Sequence, residues 1–256
     1  RAASHKGDFG GVIVPGGSGG MGGAPSLPGM AALRSGAGLV TAHVPVRGLD
    51  VMQTSAPEAM CEIDTYETMA TQINYNLNVY SAIGIGPGIG KDGKTALLLH
   101  KLLKDYRKPM VIDADALNIL SGNSEWLSLL PENTILTPHP KEFARLFGNI
   151  ANDFEKINIA LEKAAALKII IILKGHHTFL ATPSGKGLFN TTGNAGMAKG
   201  GSGDVLTGII TGLLAQGYKP EDAAVLGVYL HGLAGDKAAA RYGMTAMSAS
   251  DLIQAL

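Results

Sequence analysis

Residues 168–175 read KIIIILKG. The apolar run at its centre does not alternate with polar residues. A strand formed there has no wet face and belongs in the middle of a sheet covered on both sides. Outward from it, short apolar runs ending in glycine or proline alternate with longer stretches of helical periodicity. Strands are predicted at 11–15, 39–44, 82–85, 110–113, 134–136 and 169–173, and helices at 27–35, 95–105, 141–146, 153–166, 204–216 and 221–241. Residues 178–188 read as a hairpin turning at Pro183-Ser184-Gly185. Strand-helix alternation of this kind predicts an α/β protein, a three-layer α/β/α sandwich with a mainly parallel central sheet. No linker, low-complexity tract or repeat interrupts residues 1–256, which predicts a single domain.

In such sheets, ligands bind beyond the carboxyl ends of the strands. Glycine-rich or polar turns gather there: GGSGGMGG (16–23), GPGIG (86–90), DADALN (113–118), TPHP (137–140) and KGHHT (174–178). These five predict one shared cleft. The densest turn lies further on, in NAGMAKGGSGDVLTG (194–208), where Gly200, Gly201 and Gly203 lead into an apolar helix with Asp204 at the junction. Glycine lets the backbone approach a ligand closely, and a helix N-terminus offers free N–H groups and partial positive charge to a phosphate. A carboxylate beside such an anion hole can take the proton of a hydroxyl about to attack phosphorus. The competing reading is an ordinary helix cap, with Ser202 or Asp204 satisfying free amides. The glycine density favours phosphoryl chemistry.

Bulk properties exclude several classes. Charged residues make up 16% and the formal net charge is zero, so no basic footprint for nucleic acid or anionic lipid is present. No apolar run reaches transmembrane length. The start, RAASHKGDFGG, lacks the apolar stretch of a signal peptide. The one cysteine, Cys61, can form no internal disulfide and suits a reducing, cytoplasmic setting.

Two motifs invite other readings. GSGGMG (17–22) fits the dinucleotide fingerprint, but the next strand ends at His43 and Pro45 where an acidic ribose ligand belongs. GIGKDGKT (88–95) fits the P-loop pattern, with Asp113 able to pose as its metal-holding aspartate. A P-loop nucleotide-binding protein, however, leaves the 200–204 turn and the TPHP and KGHHT loops without a task. His176 and His177 lack partners at metal-ligand spacing. Asp113, Asp115 and Asn118 either orient a magnesium ion through water or cap the turn after their strand. Lys199 either helps neutralise phosphate or faces solvent, and His231 reads as a packed helix residue.

HKGDFG (5–10), RSGAGLV (34–40), GPGIG, DADALN, LTPHPKEFARL (136–146), LKGHHT (173–178) and GNAGMAKGGSGDVLTG (193–208) occur in one order. Together they resemble the ADP/ATP-dependent NAD(P)H-hydrate dehydratases of the ribokinase-like superfamily. The resemblance runs from about His5 to the closing SASDLIQAL. It implies a metabolite-repair lyase of the cytoplasm. Such an enzyme uses ADP, or ATP, with Mg²⁺ to phosphorylate the 6-hydroxyl of S-NADHX or S-NADPHX, then loses phosphate to restore NAD(P)H. Asp204 would be the base, with the Gly201, Ser202 and Gly203 amides holding the transferring phosphoryl group. Lys174, Gly175, His176, His177 and Thr178, with Gly203, would bind the nucleotide. Ala24, Gly88, His139 and Asp204 would contact the hydrated dinucleotide. The resemblance also implies a homotetramer working beside an NAD(P)HX epimerase. Two alternatives stay open: a ribokinase-like kinase acting on a vitamin precursor, and a nucleotide-binding module without catalysis.

Overall fold

The computed structural model describes residues 5–148 and 150–256; the first four residues of the start discussed above lie outside the described residues. One nine-stranded sheet runs through it. Strands β1 (Gly11–Pro15), β2 (Leu39–Val44), β3 (Met60–Ile63), β4 (Ala82–Ile85), β5 (Met110–Ile112), β6 (Ile135–Leu136), β7 (Ile170–Leu173), β8 (Phe179–Ala181) and β9 (Gly187–Phe189) lie in the order β3-β2-β1-β4-β5-β6-β7-β8-β9. All pairs from β3 to β7 are parallel; β7-β8 and β8-β9 are antiparallel. The 170–173 run is wholly buried, as its unbroken apolar pattern requires. The expected hairpin is β8-β9.

The helices α1 (Ser26–Arg34), α2 (Leu49–Ser55), α3 (Gly93–Asp105), α4 (Ala114–Gly122), α5 (Pro140–Phe147), α6 (Asp153–Leu167), α7 (Ser202–Ala215), α8 (Pro220–Tyr242) and α9 (Ala249–Gln254) form the outer layers. Alternate strand residues feed two cores. Val12, Val111 and Ile170 pack with α1, α7, α8 and α9. Ile13, Ile112 and Ile171 pack with α3 to α6. No described helix is long and apolar enough to cross a membrane.

Helices α1 and α7 touch backbone to backbone. A Cβ on Gly208 would fall 2.2 Å from the Pro28 carbonyl, and one on Gly212 2.8 Å from that of Ala32. Two prolines bracket the start of α1: Pro25 is its N-cap residue and Pro28 sits in its first turn, where a missing N–H costs nothing. The chain reverses direction across the sheet between β1 and β4, so their loops diverge and leave a crevice at their carboxyl ends. The Ser18 amide donates to the Gly88 carbonyl at 2.7 Å, joining the two glycine loops there.

Four elements lie outside the sequence reading: α2, β3, α4 and α9. β3 is a partly exposed edge strand, so it carries no strong apolar run. α4 begins on Ala114 in the left-handed region (φ 48), inside DADALN, where the sequence reads as a turn.

Candidate functional site

The α7 N-terminus is built by Gly201, whose φ of 88 places it in the left-handed region, open to glycine at no steric cost. The turn is enclosed from two sides. A Cβ on Gly201 would fall 2.6 Å from Leu27 Cδ1 of α1, whereas one on Gly203 would fall 3.2 Å from Lys174 Nζ at the end of β7. No side chain caps the helix at Gly201. The ordinary-cap reading therefore does not hold, because the Ser202 hydroxyl is turned to His231 Nε2 at 3.3 Å. The Ser202 amide donates to the Lys199 carbonyl at 3.4 Å, whereas the Gly201, Gly203 and Asp204 amides have no partner among the described residues and are available to an anion.

Asp204 stands half-buried in that first turn. Burial raises its pKa most; the negative charges of Asp113 and Asp115 add to this against the pull of Lys174, and the carboxyl is pushed up to about 6. A carboxylate in that range is ionised at neutral pH and a stronger base than a free aspartate.

Behind it, Asp113 is 1% exposed. Its Oδ1 lies 2.7 Å from Lys174 Nζ, and its Oδ2 accepts from the Thr207 hydroxyl at 2.9 Å. Gly86, at φ 134, lets the β4 loop pass so closely that a Cβ would fall 1.8 Å from the Asp113 carbonyl oxygen. Asp115 Oδ2 accepts from the Gly90 amide at 3.0 Å. These carboxylates brace the loops, and among the described residues no group of three or more metal-binding side chains gathers.

A cleft of about 700 Å³ opens beside the glycine turn, lined by Lys174, Gly175, His176, Thr178, Ser202 and Gly203 among others. His177 faces a neighbouring groove with Asp153 and Lys156. Ala24 and Gly88 touch each other at the crevice between β1 and β4, where a Cβ on Gly88 would fall 2.3 Å from Ala24 Cβ. His139 lies with the cleft residues, apart from Ala24 and Gly88. It is also the N-cap of α5: its Nδ1 accepts from the Lys141 and Glu142 amides at 3.1 and 3.2 Å, while Glu142 Oε2 accepts from the His139 amide at 2.8 Å.

The P-loop alternative fails on geometry. The Thr95 hydroxyl, which would meet a metal, is buried and donates to the Ala70 carbonyl at 2.9 Å. The Lys94 ammonium sits 4.0 Å above the Tyr66 ring. The dinucleotide fingerprint fails as well: His43, at the end of β2, is buried against Asp64 at 3.1 Å. Lys199 is exposed, as the solvent-facing reading expects, and its ammonium donates to the Thr245 carbonyl and, at 2.6 Å, to that of Met247.

A family model for NAD(P)H-hydrate dehydratase matches residues 12–256. The chain belongs to the NAD(P)H-hydrate dehydratase family. It is 43% identical over 238 residues to the ADP-dependent (S)-NAD(P)H-hydrate dehydratase of Neisseria meningitidis, covering 91% of this chain and 78% of that one. It is 43% identical over 266 residues to the bifunctional NAD(P)H-hydrate repair enzyme of Moorella thermoacetica, covering 100% of this chain and 50% of that protein. The chain thus spans about half the length of the bifunctional relatives it matches. In structure it resembles the ADP/ATP-dependent NAD(P)H-hydrate dehydratase of Bacillus subtilis co-crystallized with ATP/Mg²⁺, with a TM-score of 0.85 and 32% identity, covering 100% of this chain and 90% of that one. Arabidopsis thaliana ribokinase shares the fold at a TM-score of 0.66 and 12% identity, covering 96% of this chain and 98% of that one. The sandwich is therefore ribokinase-like, as the family resemblance implies.

The roles of three residues near the turn escape sequence reading. Thr207 meets Asp113 across 94 positions. His231, read from sequence as a packed residue, lines the cleft and binds the Ser202 carbonyl at 2.8 Å. Burial lowers its pKa to about 4, although the Ser202 bond acts in the other direction; it is neutral at physiological pH, with Nε2 the donor. Asp236 accepts from the Gly193 amide at 2.9 Å and Asn194 Nδ2 at 3.0 Å. No sequence spacing announces these, because α8 meets the 193–203 loop, and α7 meets the end of β5, only in three dimensions.

Proposed function

We propose that this chain, acting as one ribokinase-like domain, dehydrates the S epimer of NADHX or NADPHX to NAD(P)H at the expense of ADP, or ATP, in the cytoplasm. The observation that carries this reading is Asp204, a carboxyl raised to about 6 at an uncapped helix N-terminus. On one side of its turn lies Leu27, near the Ala24-Gly88 contact; on the other lies Lys174 with the cleft.

Asp204 takes the proton of the ring 6-hydroxyl, and that oxygen forms a bond to the terminal phosphorus of ADP, displacing AMP. The Gly201 and Gly203 amides face the phosphoryl charge as it moves, and the Ser202 amide would exchange its bond to the Lys199 carbonyl to join them. Hydroxide is a poor leaving group and phosphate a good one. The carbon-oxygen bond then breaks with the push of the ring nitrogen lone pair, phosphate departs, and loss of a proton from the adjacent carbon restores the double bond. Lys174, Gly175, His176, His177 and Thr178 hold the adenine nucleotide. Ala24, Gly88 and His139 contact the dinucleotide.

The residues present suit magnesium carried in on nucleotide phosphates, since Asp113 and Asp115 already engage Lys174, Thr207 and Gly90 and Mg²⁺ retains several waters. There it would neutralise phosphoryl charge. The chain would assemble as a homotetramer and share its substrate with an epimerase that interconverts the two hydrate epimers.

The test is a stoichiometry. Incubation with S-NADHX, ADP and magnesium is expected to yield NADH, AMP and inorganic phosphate in equal amounts. A stable phosphorylated product without NADH would identify a kinase instead.

A further inference from the structure

The mechanism gives Asp113 no task, yet its carboxylate is buried and held by two bonds. Three elements converge on it. Its amide donates to the Ile85 carbonyl at 3.0 Å, its carbonyl is packed against Gly86, and the next residue, Ala114, is held at φ 48. Left-handed backbone on a non-glycine residue persists only where its surroundings over-determine it. Its carboxylate makes two bonds, one to Lys174 Nζ at 2.7 Å and one to Thr207 Oγ1 at 2.9 Å. Thr207 is fully buried on α7, one helical turn beyond the Gly203-Asp204 junction, so its hydroxyl fixes the carboxylate relative to that junction.

The consequence falls on Lys174. A lysine is a point charge on a long flexible stem, and one at a cleft wall would sample many positions. Here the second carboxylate oxygen ties its ammonium down. The same ammonium stands 3.2 Å from the position a Cβ would take on Gly203, against the first turn of α7. The arrangement places one fixed positive charge beside the unpartnered Gly203 amide, where a terminal phosphoryl group would carry charge that a nucleoside monophosphate lacks.

We infer that Asp113, braced by Thr207, is a positioning residue that fixes the Lys174 ammonium at the glycine turn, so that the site distinguishes a nucleoside diphosphate from a monophosphate. This rests on the nucleotide assignment proposed above, and it explains how the AMP product is released while ADP is retained. Asp113→Asn keeps the shape but removes the negative charge that holds the ammonium. A purely structural role for Asp113 would weaken both nucleotides alike.

The experiment is calorimetric titration of ADP and of AMP, each with magnesium and without the dinucleotide, into wild type, Asp113→Asn, Lys174→Met and the double variant. Hydrogen bonds to charged groups contribute enough for about a tenfold effect. Wild type is expected to prefer ADP to AMP. Asp113→Asn is expected to lose about tenfold in ADP affinity with AMP unchanged, and to add nothing in the Lys174→Met background. Thr207→Val, which leaves both charges in place, should shift the ADP/AMP ratio in the same direction by less, and it carries the test if Asp113→Asn does not fold. Equal losses for ADP and AMP, an unchanged ratio in both variants, or a wild type without ADP preference would overturn the inference. Because the dinucleotide is absent, a failure to turn over S-NADHX would count against the proposed reaction and leave this result standing.

Discussion

Asp204→Asn should disable the enzyme and stabilise the protein, and both effects should depend on pH. The carboxyl sits at about 6 in the folded chain against an ordinary value of 3.8. Folding therefore disfavours its ionised form by up to about 3 kcal/mol at about 1.36 kcal/mol per pKa unit. Solvent reaching the half-buried group trims this to about 2–3 kcal/mol. The direction follows from proton binding. Between pH 4 and 6 the folded chain holds a proton that the unfolded chain has released, so stability falls as pH rises through this window. The cost is complete by pH 8, about half developed at pH 5 and absent well below pH 4. Asparagine never ionises and escapes it. Urea unfolding at pH 8 should show the variant more stable by about 2–3 kcal/mol, and at pH 5 the gain should shrink to about half. Turnover should fall by about 10²–10⁴-fold, the range for a lost general base, while ADP still binds. A gain equal at both pH values, or none at pH 8, would refute the electrostatic reasoning.

Three further outcomes follow from the same geometry. Wild-type kcat should rise with pH through an ascending limb near 6 and then level, and His231 should add no second limb near neutrality because burial holds its pKa to about 4; a pH-rate profile flat from 5 to 7 would contradict this. Thr95→Val should cost about 1 kcal/mol in unfolding experiments through its lost bond to Ala70, with ADP affinity unchanged, whereas a P-loop would lose nucleotide binding. Gly86→Ala should destabilise by about 3 kcal/mol or more, since its φ of 134 and the Asp113 carbonyl both oppose a side chain; a thermal melt within a degree of wild type would show that the loop can move aside.

Much of this molecule is readable along the chain. The unbroken apolar run at 169–173 and the glycine or polar turns closing neighbouring strands are local signals, and they place the sheet interior, the helices and the crevice. Asp204 is legible for the same reason: a glycine turn entering an apolar helix is contiguous in sequence. What escapes is whatever depends on closure of the fold. The Asp113 carboxylate looks like a turn cap or a metal orienter until β7 delivers Lys174 from 61 positions away and α7 delivers Thr207. His231 reads as helix packing until α8 lies against the Ser202 turn. Lys199 looks available to phosphate until the Thr245 and Met247 carbonyls engage its ammonium. β3 and α4 are missed because edge exposure and a left-handed first residue weaken the patterns by which strands and helices are recognised.

The most direct test is the near-ultraviolet absorbance of reduced nicotinamide, followed while the purified protein acts on S-NADHX with magnesium and either ADP or ATP. The account predicts absorbance that grows only when nucleotide is present, at a rate that collapses in Asp204→Asn. A flat trace with both nucleotides from folded protein, or undiminished growth in the variant, would contradict it.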